Sequence, residues 1–325
     1  MRVVIPAAGV GERLRPYTLT VPKVMISLAG KPLIGHILDA VTFPGVTSIS
    51  LIVGYKNEQV EEYVSRNFSH LRLDYPFQAE RKGLGHAVLQ GLEDKEEEVL
   101  ILLGDTVFDV DYEHFTSIGQ NAIAVVKVDD PHRFGIAEID TENQVTRLVE
   151  KPDEPKSDLA LAGMYYIKDQ RILKAAIEKL ITDNITTRGE YQLTDALQYM
   201  LETGEVIQAV EINGWYDCGT IDSLLESHRF LLKHNVSEEI ERSCTIHPPV
   251  FIHPDAKVTN STIGPYVTID AGSRVSGSTI EETIIGRETS INNVKLGHRL
   301  ISNHSVEGNV ESGLSERIQS ELKLS

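Results

Sequence analysis

The sequence predicts an α/β protein with a mainly parallel, mixed sheet and flanking helices, followed by a left-handed parallel β-helix. Three observations predict this. Over the first ~235 residues, short apolar runs alternate with helical patterns, which is the rhythm of a layered α/β sheet. From about Ala122 to Ile167, short β-rich runs take over. After about Arg242, apolar residues return at a step of six, sometimes five, the hexapeptide period of a parallel β-helix.

The elements follow in order. Val3–Ile5 reads as a buried strand entering a glycine loop, and Pro32–Val41 as a helix with Pro32 in its first turn. Ser48–Val53 is a second strand. Asn57–Phe68 is a helix that Asn57 would cap. Leu71–Tyr75 is a third strand, Leu84–Leu92 a helix, and Val99–Leu103 an all-apolar strand. Continuous apolar strands alternating with helices imply parallel pairing with both faces covered. The runs Ile123–Val128, Gly135–Ile139, Val145–Val149 and Gly163–Ile167 predict antiparallel additions that could wall a second pocket. Helices are expected near Ile172–Ile181, Gln192–Glu202 (closed by Gly204) and Ile221–Lys233 (behind Thr220). The apolar ladder then runs Ile246, Ile252, Val258, Ile263, Ile269, Val275, with a looser set at Ile280, Ile285, Ile291 and Leu296. These boundaries give domains over 1–237 and 243–312, with a tail over 313–325 that is either a short helix or disordered.

A formal net charge of −17 over 325 residues argues against a nucleic-acid binder, which needs a basic surface, and against docking on an anionic membrane. A small anionic substrate remains compatible with local Arg and Lys. The cysteines, Cys218 and Cys244, form no CxxC, so a zinc site or redox pair is not indicated and two reduced thiols are expected. The segment before Pro6 is too short for a signal peptide and no run could span a bilayer, so a cytoplasmic location is expected.

The strongest motif is Pro6-Ala7-Ala8-Gly9-Val10-Gly11-Glu12-Arg13-Leu14-Arg15-Pro16-Tyr17-Thr18, continuing to Pro22-Lys23, directly after the first strand. In an open α/β sheet that is the carboxyl-end crevice where ligands bind. Gly9 and Gly11 lack Cβ atoms, so backbone N–H groups can approach phosphate oxygens. Arg13 can grip a phosphate through two bonds, and Lys23 adds a second cation. Seven specified positions, at roughly 1 in 20 each, arise by chance about once per billion starting points. A Walker loop is excluded because Pro32 follows Gly30-Lys31, and a dinucleotide fingerprint because Leu14 stands at the third glycine.

This motif resembles that of the sugar-1-phosphate nucleotidylyltransferases, which include the glucose-1-phosphate thymidylyl- and uridylyltransferases and N-acetylglucosamine-1-phosphate uridylyltransferase. Glu12 departs from the Thr or Ser common there; an acid beside a triphosphate is electrostatically awkward unless it points to solvent, and its role stays open. Four further segments fit in order. Gln78 to Ala87 resembles the base-reading segment, Leu103-Gly104-Asp105 and Trp215 to Thr220 two metal stations, and Glu150-Lys151-Pro152 the sugar-phosphate contact. Phe134-Gly135-Ile136, Gly163-Met164-Tyr165 and Arg188-Gly189-Glu190…Thr194-Asp195 resemble the rest of the sugar pocket.

The resemblance, over roughly residues 1–235, implies a Rossmann-like nucleotidyltransferase that joins UTP or dTTP to a sugar 1-phosphate. Glucose 1-phosphate is the first candidate, and pyrophosphate is released. It implies Arg13, Lys23, Asp105, Lys151 and Asp217 as the catalytic set. Ala8, Gly9, Gly11, Arg13, Gln78, Gly83 and Asp105 would bind the nucleotide. Gly135, Glu150, Lys151, Gly163 and Glu190 would bind the sugar phosphate. Mg²⁺ on Asp105 and Asp217 suits hard oxygen ligands. Two alternatives stand beside this reading: a bifunctional enzyme whose β-helix transfers an acyl group with His298 or His304 as base, and a non-catalytic relative serving assembly or regulation. The partners implied are the two small-molecule substrates and further copies of the chain, through β-helix packing.

Overall fold

The computed structural model describes residues 1–233 and 243–308. The expected domain ends at 237 and 312 and the tail over 313–325 lie outside the described residues. The chain divides into two compact units. One comprises Met1–Val10 and Ile34–Tyr216, the other Gly11–Leu33 and Asp217–Ser325.

The first unit is built on a nine-stranded sheet. Its main path runs Val145–Glu150, Gly135–Ile139, Leu159–Ile167, Val99–Leu102, Arg2–Pro6, Ser48–Ile52, Leu73–Asp74. Val3, Val4 and Ile5 are fully buried, as a strand covered on both faces requires. Val3 pairs in parallel with Ile49 on one side and Leu100 on the other. The β-rich runs after Ala122 are antiparallel additions, as expected: Tyr165 faces Ile101 and Ile123, and Leu148 faces Ala137. Ile207–Glu211, whose strand was not read from the sequence, lies parallel to Asn121–Lys127.

Helices Gln170–Thr182 and Leu193–Glu202 bury Leu173, Ile177, Leu197 and Met200 in the core under the sheet. Asp169 caps the first by accepting from the Arg171 N–H at 3.0 Å. Gly204 closes the second with φ +101°, its N–H reaching the Leu201 carbonyl at 3.1 Å.

Two expectations near helix starts are corrected. The first helix spans Leu33–Ala40, because Pro32 belongs to a short antiparallel ladder opposite Ser27. Asn57 does not cap its helix. Lys56 takes the cap position with φ 53°, and the Asn57 amide donates to Glu61 at 2.8 Å.

In the second unit the six-residue step becomes three stacked faces, with each partner 16 or 17 residues further on. Ile246 stacks on Ile263, Ile280 and Leu296, then Ile252 on Ile269, Ile285 and Ile301. On the third face Val258 meets Val275 and Ile291. All pairings are parallel and the ladder residues form one core, consistent with a left-handed parallel β-helix. Helix Ile221–Leu232 precedes it behind a capping box. Thr220 accepts from the Ser223 N–H, and Ser223 accepts from the Thr220 N–H.

Candidate active site

Chain order in the first sheet moves outward from Arg2–Pro6 to Ser48–Ile52 and Leu73–Asp74. It then returns to Val99–Leu102 on the opposite flank of Arg2–Pro6. The reversal marks the switch point whose carboxyl-end crevice receives ligands in such sheets. Glycines let the loops crowd there. A Cβ on Gly104 would stand 2.6 Å from the Pro6 carbonyl, and one on Gly54 2.9 Å from the Ala8 Cβ. At Gly9 the same test meets nothing within 4 Å, so this turn faces open space.

Asp105 follows Gly104 and is half-buried, with the Thr106 hydroxyl donating to Oδ1 at 3.4 Å. Its loop is braced by Gly163, whose carbonyl accepts from the Leu103 N–H at 3.0 Å. Gly163 has φ +93°, and a Cβ there would overlap the Leu103 side chain. The pairing register slips between Leu161 and Tyr165, a bulge of the kind that re-aims backbone beside active sites.

The segment around Gly83, read as base-reading, meets the segment around Glu190, read as part of the sugar pocket. Gln78 extends the sheet edge, its N–H donating to the Val53 carbonyl at 2.9 Å. Gly83 has φ +111° and stands where a Cβ would come within 2.6 Å of the Tyr191 carbonyl and 2.9 Å of the Glu190 Cβ. Glu190 is exposed, and its carboxylate accepts from Gln192 at 3.1 Å.

A tighter cluster forms around Glu150. Its Oε2 accepts from the Thr194 hydroxyl at 2.7 Å, and its Oε1 lies 3.2 Å from the Lys151 ammonium. Gly135 must be small, since a Cβ would stand 2.8 Å from the Thr194 Oγ1 and 3.0 Å from the Glu150 Oε2. Burial raises the Asp195 carboxyl above the usual range, against a hydrogen bond from Thr187, and Glu150 adds to the rise. Asp195 Oδ2, Trp215 Nε1 and His86 Nδ1 are buried with no partner among the described residues, a state that demands an explanation such as a ligand or water. Burial, with Lys82 second, lowers the His86 pKa. The sequence placed Thr194 in a pocket segment but gave no sign that it holds Glu150. That bond spans 44 residues.

In the second unit, Gly11 adopts φ +71°, and a Cβ would stand 3.0 Å from both Lys23 Cβ and Thr18 Cγ2. The Thr18 hydroxyl donates to the Gly11 carbonyl at 2.8 Å. Three 3₁₀ turns, Glu12–Leu14, Tyr17–Leu19 and Lys23–Met25, shape the rest of the loop. Lys23 is buried at 6% exposure. Arg13 and Asp217 converge on Gly219, where a Cβ would meet the Arg13 Nη2 at 2.6 Å and the Asp217 Oδ2 at 2.7 Å. Ser223 donates to Asp217 Oδ2 at 3.4 Å, and Cys218 beside it is buried and forms no disulfide among the described residues. Glu12 points to solvent, its side chain 67% exposed and 4.0 Å from Arg15, which answers the electrostatic difficulty of an acid in this loop.

The predicted residues therefore form two sets. Ala8, Gly9, Gln78, Gly83, Asp105, Gly135, Glu150, Lys151, Gly163 and Glu190 belong to the first unit. Gly11, Arg13, Lys23 and Asp217 belong to the second. Among the described residues no group of three or more His, Cys, Asp or Glu is placed to hold a metal, and no helix is long and apolar enough to cross a membrane.

A switch-point crevice, a glycine loop carrying Arg and Lys, and a carboxylate at a strand end define a nucleotide-handling α/β transferase. The nucleotidyl transferase family model matches residues 2–234, and the chain belongs to that family. The bifunctional protein GlmU of Methanocaldococcus jannaschii is 37% identical over 79% of this chain. The chain spans 61% of that relative's length. A low-salt glycan biosynthesis nucleotidyltransferase, Agl11 of Haloferax volcanii, is 32% identical over 90% of this chain and 89% of its own. The glucose-1-phosphate thymidylyltransferase of Streptomyces griseus is 29% identical over 91% of this chain and 90% of its own. Among solved structures, a Bacillus anthracis protein assigned as a glucose-1-phosphate thymidylyltransferase superposes with TM-score 0.62. It is 27% identical, over 73% of this chain and 98% of that one.

Proposed function

We propose that the protein transfers a nucleotidyl group from UTP or dTTP to a sugar 1-phosphate, glucose 1-phosphate first among candidates, releasing pyrophosphate. The observation that carries this reading is the loop of the second unit. There Gly11 turns the backbone left-handed, and Arg13 and Asp217 meet at Gly219. The relatives' names support the same chemistry.

In this reading an oxygen of the sugar phosphate forms a bond to the α-phosphorus, and the bond from that phosphorus to the bridging oxygen of the leaving pyrophosphate breaks. A phosphate monoester is already mostly dianionic near neutral pH, with a second pKa of about 6, so no general base is required. The protein's work is to hold two polyanions that repel each other and to stabilise the charge that moves. Arg13 and Lys23 would bind the triphosphate and the leaving pyrophosphate. Lys151, held over Glu150 at 3.2 Å, would neutralise the attacking phosphate. Glu150, fixed by Thr194, would accept from sugar hydroxyls, and Gln78 would pair with the pyrimidine edge.

Asp105 and Asp217 are the proposed protein ligands for a divalent cation, Mg²⁺ in our reading, on the strength of the sequence resemblance. Hard carboxylate oxygens, few in number and completed by phosphate and water, fit that ion. When bound, it would supply charge neutralisation at the phosphates.

A matrix of UTP and dTTP against several sugar 1-phosphates, followed by pyrophosphate release with Mg²⁺, tests the reading and names the pair. Asp217→Asn and Lys23→Ala should each lower kcat/KM by about 10²-fold or more. Turnover in both variants equal to the parent protein would refute the assignments. The bifunctional alternative, with acyl transfer by the β-helix, stands beside this reading, since the bifunctional protein GlmU is among the relatives; here His298 contacts Asp222 and Glu282, and His304 lies 3.2 Å from Glu288.

A further inference from the structure

The segment Gly11–Leu33, which carries Arg13 and Lys23, clusters with the β-helix unit and not with the sheet strand it follows. Its own regular structure is slight: three 3₁₀ turns and a ladder of two residues on each side. So short a set of internal bonds cannot fix a loop of that length. Its shape must come from what it rests on.

The supports lie near both ends. Tyr17 is 3% exposed, and its hydroxyl donates to the Asn303 Oδ1 at 3.3 Å. That oxygen is itself fixed by the coil, since it also accepts from the Arg287 N–H at 3.0 Å. Arg287 reaches the buried Asp270 at 3.4 Å, and Tyr17 lies within electrostatic reach of both. Burial, reinforced by Asp270, pushes the Tyr17 hydroxyl pKa well up, so it remains a donor. At the other end Gly30 has φ +84°, and its missing Cβ makes room for the ring of Phe251, which lies on the coil strand Val250–Ile252. Beside it, the Ala29 N–H donates to Nδ1 of the fully buried His228 at 3.3 Å.

The path from support to charge is short. Thr18, next to Tyr17, bonds the Gly11 carbonyl, and that carbonyl also takes the Leu14 N–H at 3.0 Å. Arg13 sits inside this turn.

We propose that the β-helix is the foundation of the phosphate loop, with Tyr17 and Phe251 as the positioning residues through which the coils set where Arg13 and Lys23 stand. This rests on the nucleotidyl-transfer reading for its kinetic consequence, but not for its structural one. Removing a side chain from the interface should loosen the loop while the sheet and the ladder of coils persist.

The test uses the full chain with Tyr17→Ala, Tyr17→Phe and Phe251→Leu. Hydrogen exchange is read at amides in Gly11–Leu33, and steady-state kinetics are read against each substrate. Tyr17→Ala should speed exchange at Leu14 and Leu19 about tenfold or more, with Arg2–Pro6 and Val99–Leu102 unchanged. It should lower kcat/KM for the nucleotide about tenfold while the KM for the sugar phosphate moves less than about twofold. Tyr17→Phe keeps the ring and should recover most of both, and Phe251→Leu should give an intermediate loss.

Unchanged loop exchange in Tyr17→Ala and Phe251→Leu would overturn the proposal. So would equal loss for both substrates with exchange quickened throughout the chain. If the parent protein releases no pyrophosphate with any pair, the functional reading falls, and loop exchange alone still decides this one.

Discussion

Both units of this chain build parallel β-structure, yet they find their partners over very different stretches of sequence. Val3 pairs with Ile49 and Leu100, far along the chain, and helices must carry the return. Ile269 pairs with Ile252 and Ile285, one coil away on either side. Non-local pairing ties the sheet into one cooperative body, whereas coils contact only their neighbours and open piecemeal. The residues proposed for the chemistry are distributed accordingly. The first unit offers groups at strand ends braced by glycine, and the second holds its cations on a loop leaning on coils.

The largest effect should come from cavities in the two cores. Ile101 and Ile269 are both fully buried. Replacing either by Ala should cost about 2–5 kcal/mol in denaturant unfolding. The difference should lie in where the damage spreads. Ile101→Ala should lower amide protection across the sheet from Leu159–Ile167 to Ser48–Ile52. Ile269→Ala should lower it most in Val250–Ile252 and Thr279–Ile285. Loss of protection spread evenly over all the described coils in Ile269→Ala would break the contrast.

A smaller structural effect with a larger functional one is expected at Gly9. Its φ is not in the left-handed region and nothing lies within 4 Å of its missing Cβ. Gly9→Ala should therefore leave stability within about 0.5 kcal/mol. A methyl group in the space read as the phosphate site should nonetheless raise the KM for the nucleotide about tenfold or more. Gly104→Ala sharpens the point from the other side. Its Cβ would strike the Pro6 carbonyl, so stability and activity should fall together. An unaltered nucleotide KM in Gly9→Ala would remove this turn from the site.

These cases also show what the sequence could tell. The apolar runs Val3–Ile5 and Val99–Leu102 and the ladder from Ile246 to Leu296 were legible, because burial on a fixed period leaves a direct trace in residue type. The strands Thr106–Asp109, Ile207–Glu211 and Gly214–Asp217 were not. They are short, and all three end in an acidic residue. The candidate site residues are read as segments, through glycines and charges at set spacings. Their supports are not: Tyr17 to Asn303 spans 286 positions, and no local pattern records it. Nor could spacing reveal that Lys56 would displace Asn57 from a cap.

The smallest effect concerns the contact of helix Ile221–Leu232 with the coils. His298 Nε2 lies 2.8 Å from the Asp222 carboxylate and Nδ1 3.4 Å from Glu282, which also pairs with Arg229 at 2.7 Å. The Asp222 hydrogen bond, then Glu282, raises the His298 pKa above its usual 6.5. A raised folded-state value means the unfolded chain binds the proton less well. The resulting stability is fully present below about pH 6.5 and is lost as pH rises through the folded value. His298 is half exposed and Asp222 more so, so solvent screening should hold the contribution below about 1 kcal/mol. Burial lowers the His86 pKa, which acts in the opposite sense, so the parent curve alone is uninformative. The difference between parent and His298→Gln, measured by urea unfolding from pH 5.5 to 8.5, isolates the group. The parent's advantage should be greatest at the acid end and vanish toward pH 8.5. It should also shrink in 0.5 M salt, because a surface pair is screened over a few ångströms at that strength. A difference that does not vary with pH would assign His298 a packing role and leave the helix contact to Arg229 and Glu282.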